Sequence, residues 1–138
     1  MFQKILVAVD ESTYAKPVLE TAVKMAKAFG AEVRVVHVLE TGFVGRAGVV
    51  NLESSDEAHK VVSEAVAFFE ENGVKASASV RAAMHGRLAL EIGEESVAFG
   101  AGLVVMGSRG LTDFEGVFVG STSHRMIHTS KVPVLVVP

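Results

Sequence analysis

The sequence predicts an α/β fold, in which one open parallel sheet carries helices on both faces. Strand-like and helix-like segments alternate along the chain, and strands separated by helices need crossover connections, which make them parallel. The segments "ILVAV" and "LVVM" are apolar throughout. Such runs are typical of central strands that are buried on both sides.

Five strands and four helices are predicted along the chain. Short apolar or β-branched runs indicate strands, and apolar residues at helical spacing indicate helices. Ser12 and Thr13 are candidate caps of the first helix, and Gly30 ends it. The predicted strands span residues 4–9, 32–39, 74–82, 102–106 and 132–137, the helices about 14–29, 58–69, 87–99 and 121–129, and residues 40–51 form a loose connection. The strand at 74–82 alternates polar and small residues, which is typical of a sheet edge.

The composition is typical of a single globular domain spanning residues 1–138, because 49% of the residues are apolar. The formal net charge is −3 and no Lys/Arg block stands out, so no nucleic-acid partner is expected. The apolar runs are too short to span a membrane. Asp10 follows the first apolar run and no cleavage site is evident, which favours a cytoplasmic protein over a secreted one. The chain has no cysteine, which excludes disulfides and thiolate metal sites.

Residues 107–125, "GSRGLTDFEGVFVGSTSHR", connect the fourth predicted strand to the last predicted helix. Glycines let a ligand approach the backbone, and a helix N-terminus attracts anions, so this segment has the parts of a phosphate cradle. A glycine-rich connection with a serine cap explains the local composition equally well. Neither a Gly-Lys-Ser/Thr loop nor the dinucleotide-binding glycines after the first strand occur in the sequence.

The spacing Gly107-x2-Gly110-x9-Gly120-Ser121 resembles the ATP-binding signature of the universal stress protein family. The surrounding "VVMGSRGLTDFEGVFVGSTSHRMI", the opening "KILVAVDES" and the strand "VRVVHVL" resemble that family too, so the resemblance covers essentially the whole chain. It implies a Rossmann-like five-stranded parallel sheet in the order 3-2-1-4-5, with the ligand beyond strands one and four. It also implies a homodimer that pairs through the terminal strand, residues 132–137.

The resemblance further implies that an adenine nucleotide (ATP, ADP or AMP) binds at the positions that match the family's motif. Asp10 would lie near the ribose or adenine, Ala8 near the base, and Val38 would present backbone groups to the adenine edge. The expected nucleotide-binding residues are Ala8, Asp10, Val38, Met106, Gly107, Arg109, Gly110, Gly120, Ser121 and Thr122. Arg109 is as readily explained as a surface arginine.

Candidate metal ligands occur at two places. Asp113 and Glu115 are candidates for holding Mg²⁺ beside phosphates, but loop carboxylates are more often simply solvated. His124 and His128 have the i, i+4 spacing of metal ligands, but no third ligand is evident, and no metal site is expected there. His37 is expected to be a packed residue with one hydrogen bond.

The expected function is that of a nucleotide-binding stress-response regulator or sensor. No residue pair is a persuasive candidate for a catalytic base and a charge-stabilising partner, so no catalytic residue is expected and hydrolysis of ATP would be slow at most. A dimeric interaction scaffold that binds no nucleotide is the alternative. A receiver-type signalling domain is disfavoured, because it needs a phosphoacceptor aspartate after the third strand, where this chain reads "VRAAMHG".

Overall fold

Strands and helices alternate as predicted in the computed structural model, which describes residues 1–10, 15–43, 49–51, 55–84, 86–108 and 121–138. The strands are β1 (Lys4–Ala8), β2 (Glu32–Phe43), β3 (Val49–Asn51), β4 (Ala76–Met84), β5 (Leu103–Gly107) and β6 (Val134–Val137). The helices are α1 (Ala15–Phe29), α2 (Ser55–Glu71), α3 (Leu88–Phe99) and α4 (Ser121–Thr129).

Five of the strands form the predicted parallel sheet. β1 pairs with β2 and β5, β2 pairs with β4, and β5 pairs with β6, all in parallel. The strand order is therefore β4-β2-β1-β5-β6, which is the predicted order 3-2-1-4-5 when the five parallel strands are numbered along the chain. β1 lies at the centre, and β4 and β6 are the parallel strands at the two edges.

The core consists of two apolar layers, one on each face of the sheet. Because successive side chains of a strand point to opposite faces, Ile5 and Val7 of β1 pack under α1 and α2, whereas Leu6 packs under α3 and α4. All three side chains are fully buried. The continuous apolar run of β1 thus supplies both layers, as expected of a central strand.

A polar cluster interrupts the second layer, between α3 and the paired strands β2 and β4. Glu95 of α3 is buried and accepts hydrogen bonds from Arg81 of β4 and Arg34 of β2. Arg34 also stacks over the Phe99 ring, with the guanidinium carbon 4.4 Å from the ring centroid. We call Arg34, Arg81, Glu91 and Glu95 the α3 ion cluster.

The structure differs from the sequence prediction mainly between residues 40 and 51. β2 continues to Phe43, and residues 41–43 pair in antiparallel fashion with β3. The prediction of a loose connection over residues 40–51 is therefore wrong for 40–43 and 49–51. Backbone pairing, which leaves no trace in hydrophobic periodicity, extends this strand. Several other element boundaries shift by a few residues: α2 begins at Ser55, β4 at Ala76 and β6 at Val134.

Candidate functional site

The carboxyl end of β1 is the topological switch point of the sheet. The chain continues from β1 to β2 and β4 on one side, then returns to form β5 and β6 on the other. Ligands of open α/β sheets bind beyond the strand ends at such a point. β1 ends at Ala8, opposite Val36, whereas β2 continues to Phe43. A crevice therefore lies beyond β1, with β2 on one side and the end of β5 on the other.

The backbone of Val38 faces this crevice. Alternate residues of a strand direct their backbone groups to the same neighbouring strand. Val36 directs its carbonyl to the β1 side, where it accepts a hydrogen bond from the Val9 N–H at 3.0 Å. Val38 therefore directs its N–H and C=O to the same side, beyond the last ladder pair between Ala8 and Val36. Its side chain is buried in the layer under α3 and α4, so only the backbone of Val38 is directed to the crevice.

Gly107 ties the opposite wall of the crevice to α4. Its carbonyl oxygen accepts a hydrogen bond from Ser123 Oγ at 2.5 Å, and Ser123 is buried. This bond places the first turn of α4, including Ser121 and Thr122, at the carboxyl end of β5. A helix N-terminus carries unpaired N–H groups and a partial positive charge. The arrangement is therefore suited to binding an anion such as phosphate.

His37 fixes the chain immediately before Asp10. Its Nδ1 lies 2.7 Å from the Val9 carbonyl oxygen, and the residue is 3% exposed. Because a carbonyl can only accept, Nδ1 carries a proton and donates it. This confirms the prediction of a packed, hydrogen-bonded histidine. The bond also links β2 to the residue after β1 and so positions half-buried Asp10 at the rim of the crevice.

A recess of about 570 Å³ opens beside Asp10, between α1 and α2. Its volume lies in the range of small-molecule sites, about 300–1,000 Å³. The apolar part consists of Val9, Ala15, Leu19, Val61, Ala65 and Phe68, and the charged rim consists of Asp10, Glu57, Lys60 and Glu64. This recess lies on the α1/α2 face, whereas Ala8, Val38 and Met106 pack under α3 and α4. Asp10 is the predicted site residue that borders it.

Seven of the ten expected nucleotide-binding residues fall in the described part of the chain, and all lie at the carboxyl end of the sheet or at the start of α4. Met106 is buried, and its side chain packs in the layer under α3 and α4. Ser123 was missed by the sequence analysis. The sequence feature that could have indicated it is its i, i+3 spacing to Met126. Met126 is fully buried, and this spacing puts Ser123 and Met126 on the same inner face of α4. Arg109, Gly110 and Gly120, like Asp113, Glu115 and the caps Ser12 and Thr13, lie outside the described residues.

Within the described ranges, no three or more His, Asp or Glu side chains are grouped so that they could hold a metal ion. None of the helices in this part of the chain is long and apolar enough to cross a membrane.

Comparison with known proteins identifies the family. The family model described as "Universal stress protein family" matches residues 1–138. The universal stress protein YxiE of Bacillus subtilis is 31% identical over 150 residues, which cover 99% of this chain and 99% of that protein. A solved universal stress protein from Archaeoglobus fulgidus is 27% identical with a TM-score of 0.74, over 100% of both chains. A further structure of the universal stress protein from that organism, in complex with dAMP, is similar in fold, with a TM-score of 0.72 and 24% identity over 100% of both chains. The chain therefore belongs to the universal stress protein family.

Proposed function

We propose that residues 1–138 form one domain that binds an adenine nucleotide, ATP or AMP, and acts in the cytoplasm as a stress-response regulator or sensor. The observation that carries this proposal is the crevice beyond β1, which has the Val38 backbone on one side and the N-terminus of α4 on the other. The two sides offer different chemistry, one suited to a base and one to phosphates. The structure of a universal stress protein from Archaeoglobus fulgidus in complex with dAMP supports an adenine nucleotide as the class of ligand.

The Val38 backbone suits adenine better than guanine. A strand edge presents one N–H donor and one C=O acceptor side by side. Adenine carries an amino donor next to a ring-nitrogen acceptor, so the two edges are complementary. Guanine carries a carbonyl acceptor and an N–H donor in the corresponding positions, which would place like groups against each other. A buried mismatch of this kind leaves polar groups unpaired, at a cost of about 1–3 kcal/mol each.

The phosphates would lie at the first turn of α4, where Ser121 and Thr122 add hydroxyl donors to the backbone N–H groups. Gly110 and Gly120 would let the backbone approach the phosphates closely. Mg²⁺ would accompany the triphosphate and would be held mainly by phosphate oxygens and water. The proposal assigns no catalytic base, and it gives buried His37 the role of fixing Val9. Hydrolysis would be slow at most.

Titration calorimetry of the full chain with Mg-ATP, AMP and Mg-GTP tests this proposal. ATP and AMP should bind, and GTP should bind at least about tenfold more weakly, because two mismatched groups at about 1–3 kcal/mol each exceed the 1.4 kcal/mol that corresponds to about a factor of ten. Gly120→Val should abolish ATP binding by filling the space where backbone meets phosphate. Gly93→Val is the matched control, because a Cβ on Gly93 of α3 meets no atom within 4 Å. No binding of any adenine nucleotide to the folded protein would favour the scaffold alternative.

We also propose that the protein forms a homodimer through β6. The described residues place β6 at the sheet edge, paired with β5, and its four side chains are only half-buried. The carbonyls of Pro133 and Val137 accept hydrogen bonds from Val104 and Ser108 on the β5 side. Alternation therefore directs the backbone groups of Val134 and Val136 outward, where they can pair with a second copy.

Sedimentation equilibrium of a Val136→Pro variant tests the dimer. Proline removes the outward N–H of Val136 and keeps the hydrogen bonds to β5, so the variant should dissociate while remaining folded. Val136→Thr, which retains both the N–H and the branched shape, should remain dimeric. A wild-type monomer at every concentration would refute this part of the proposal.

A further inference from the structure

Two histidines on the outer face of α4 contact each other. His124 and His128 are exposed, and their ring centroids are 4.6 Å apart with an interplanar angle of 65°. The backbone that carries them is well fixed. Met126 between them is fully buried, and the Ser130 N–H donates to the Met126 carbonyl at 2.9 Å, which continues the helical pattern past His128. The two rings are therefore held one turn apart by a rigid element.

The separation of the rings corresponds to two adjacent ligand positions on one metal ion. With metal–nitrogen bonds of about 2.0–2.1 Å, two imidazoles at a right angle have centroids about 4.5 Å apart, and at the tetrahedral angle about 5.1 Å apart. The observed 4.6 Å is within reach of either arrangement, with small rotations of the two exposed side chains. Right angles between neighbouring ligands are typical of the tetragonal geometry of Cu²⁺ and Ni²⁺, whereas Zn²⁺ prefers tetrahedral sites.

We propose that His124 and His128 form a two-histidine chelating site for a divalent transition metal, with Cu²⁺ bound most tightly and Ni²⁺ next. Water would fill the remaining positions, so the site needs no third protein ligand. The charge of Arg125, which follows His124 in the chain, is directed away from this site. Its guanidinium donates a hydrogen bond to the Gly86 carbonyl at 2.6 Å, on the α3 side. The order of the metals follows the general stability series, in which Cu²⁺ exceeds Ni²⁺ and Zn²⁺.

Cu²⁺ titration of the full chain at neutral pH, in a non-coordinating buffer, tests the site. Calorimetry gives the affinity, and electron paramagnetic resonance of the Cu²⁺ complex counts the bound nitrogens. The wild type should bind one Cu²⁺ through two imidazoles. His128→Gln and His124→Gln should each weaken binding by about a hundredfold or more, because the second ligand acts at a high effective concentration only when it is tethered.

Two controls separate a chelate from scattered histidine binding. His59→Gln removes another exposed histidine, on α2, and should leave the affinity unchanged. The double change His128→Gln with Thr129→His keeps the number of histidines but breaks the i, i+4 spacing, so it should bind as weakly as His128→Gln alone. An equal loss in the His59→Gln variant would overturn the proposal, as would wild-type affinity in the double variant. Each variant sits on the exposed face of a helix, and circular dichroism tests whether it is folded.

Discussion

Arg81 Nε donates a hydrogen bond to Glu95 Oε2 across 2.7 Å, and this contact ties the edge strand β4 to α3. Arg81 also bonds to Glu91 at 2.9 Å, and Glu95 accepts a second bond from Arg34 of β2 at 3.2 Å. The Glu95 side chain is only 6% exposed, whereas those of Arg81 and Arg34 are 26% and 31% exposed. The buried carboxylate of Glu95 therefore links α3 to both β2 and β4.

We expect the loss of either partner to destabilise the fold. Arg81→Met should lower the free energy of unfolding by about 2 kcal/mol, because it removes charged hydrogen bonds to buried Glu95. Glu95→Leu should cost about as much, because Arg81 and Arg34 then face each other without Glu95 between them. The double variant should lose less than the sum, with a coupling of about 1–3 kcal/mol measured by urea unfolding.

The control is the same double-mutant cycle for the ion pair of Lys60 with Glu64 on α2. These side chains are 75% and 70% exposed and lie 4.0 Å apart. Their coupling should be below about 0.5 kcal/mol, because exposed ion pairs contribute little. If the Arg81–Glu95 cycle gave a coupling as small as this control, the α3 ion cluster would have no stabilising role.

The same carboxylate should make stability depend on pH. Burial raises the pKa of Glu95, but hydrogen bonds from Arg81 and Ser79, together with the charge of Arg81, outweigh burial and hold the pKa below its ordinary value of 4.5. A lowered pKa in the folded state contributes stability that is fully present above the unfolded pKa and is lost as pH falls through the folded pKa.

Comparison of the wild type with Glu95→Gln isolates this contribution. The difference in unfolding free energy should be constant above about pH 5 and should shrink as the pH falls further. Glu64→Gln, at an exposed position, is the control for loss of a carboxylate, and it should change the free energy of unfolding by less than about 0.5 kcal/mol. A Glu95→Gln difference that grows towards acid pH would show that the folded-state pKa is raised.

Gly102 allows the N-terminal segment to pass close to β5. A Cβ at this position would overlap the carbonyl oxygen of Met1. Gly102→Ala should therefore lower the free energy of unfolding by about 1–3 kcal/mol, because the segment that carries Phe2 must move away. The rings of Phe2 and Phe29 pack edge-on with their centroids 5.0 Å apart, and movement of the segment would strain this contact.

Gly93→Ala is the matched control, since a Cβ there meets no atom within 4 Å and the position is helical. It should raise stability by about 0.5–1 kcal/mol. Thermal melts of the Gly102→Ala and Gly93→Ala variants measure the two effects. Equal melting temperatures would mean that the Met1 carbonyl does not lie beside Gly102 in solution.

Ser123→Ala tests the link between β5 and α4. Loss of the hydrogen bond from Ser123 Oγ to the Gly107 carbonyl should cost about 1 kcal/mol of stability. ATP binding should weaken by more than this stability loss explains, because the first turn of α4 is no longer fixed beside the crevice. Ser63→Ala removes a comparable hydroxyl, which bonds to the His59 carbonyl on its own helix, and should leave ATP binding unchanged. Equal ATP affinity in both variants would show that the position of α4 does not affect ATP binding.

The parallel sheet and both apolar layers follow from signals that the sequence carries clearly. The runs around Leu6 and Val104 are apolar throughout, and the helices repeat apolar residues at a fixed spacing. The pairing of residues 41–43 with β3 was not predictable in this way, because hydrophobic periodicity carries no record of which distant segments pair. The family resemblance supplied the strand order and the site residues, which local patterns alone left open.

The α3 ion cluster was also missed. Arg34 and Arg81 each interrupt a strand-like run, and Glu91, Glu94 and Glu95 lie close together on one predicted helix. Each feature alone is typical of a solvated surface. Only the register between β2 and β4, which sets Arg34 beside Ser77 and Arg81 beside Val38, brings the two arginines to the same face under α3.

The most direct test of the crevice is an amide-resolved nuclear magnetic resonance titration of the full chain with Mg-ATP. The amide signals of Val38, Gly107 and Ser121 should shift together and saturate with one affinity. Shifts confined to Leu19, Lys60 and Phe68 would place the nucleotide in the recess between α1 and α2 and would contradict the proposed site. Unchanged spectra at saturating ATP would contradict nucleotide binding itself.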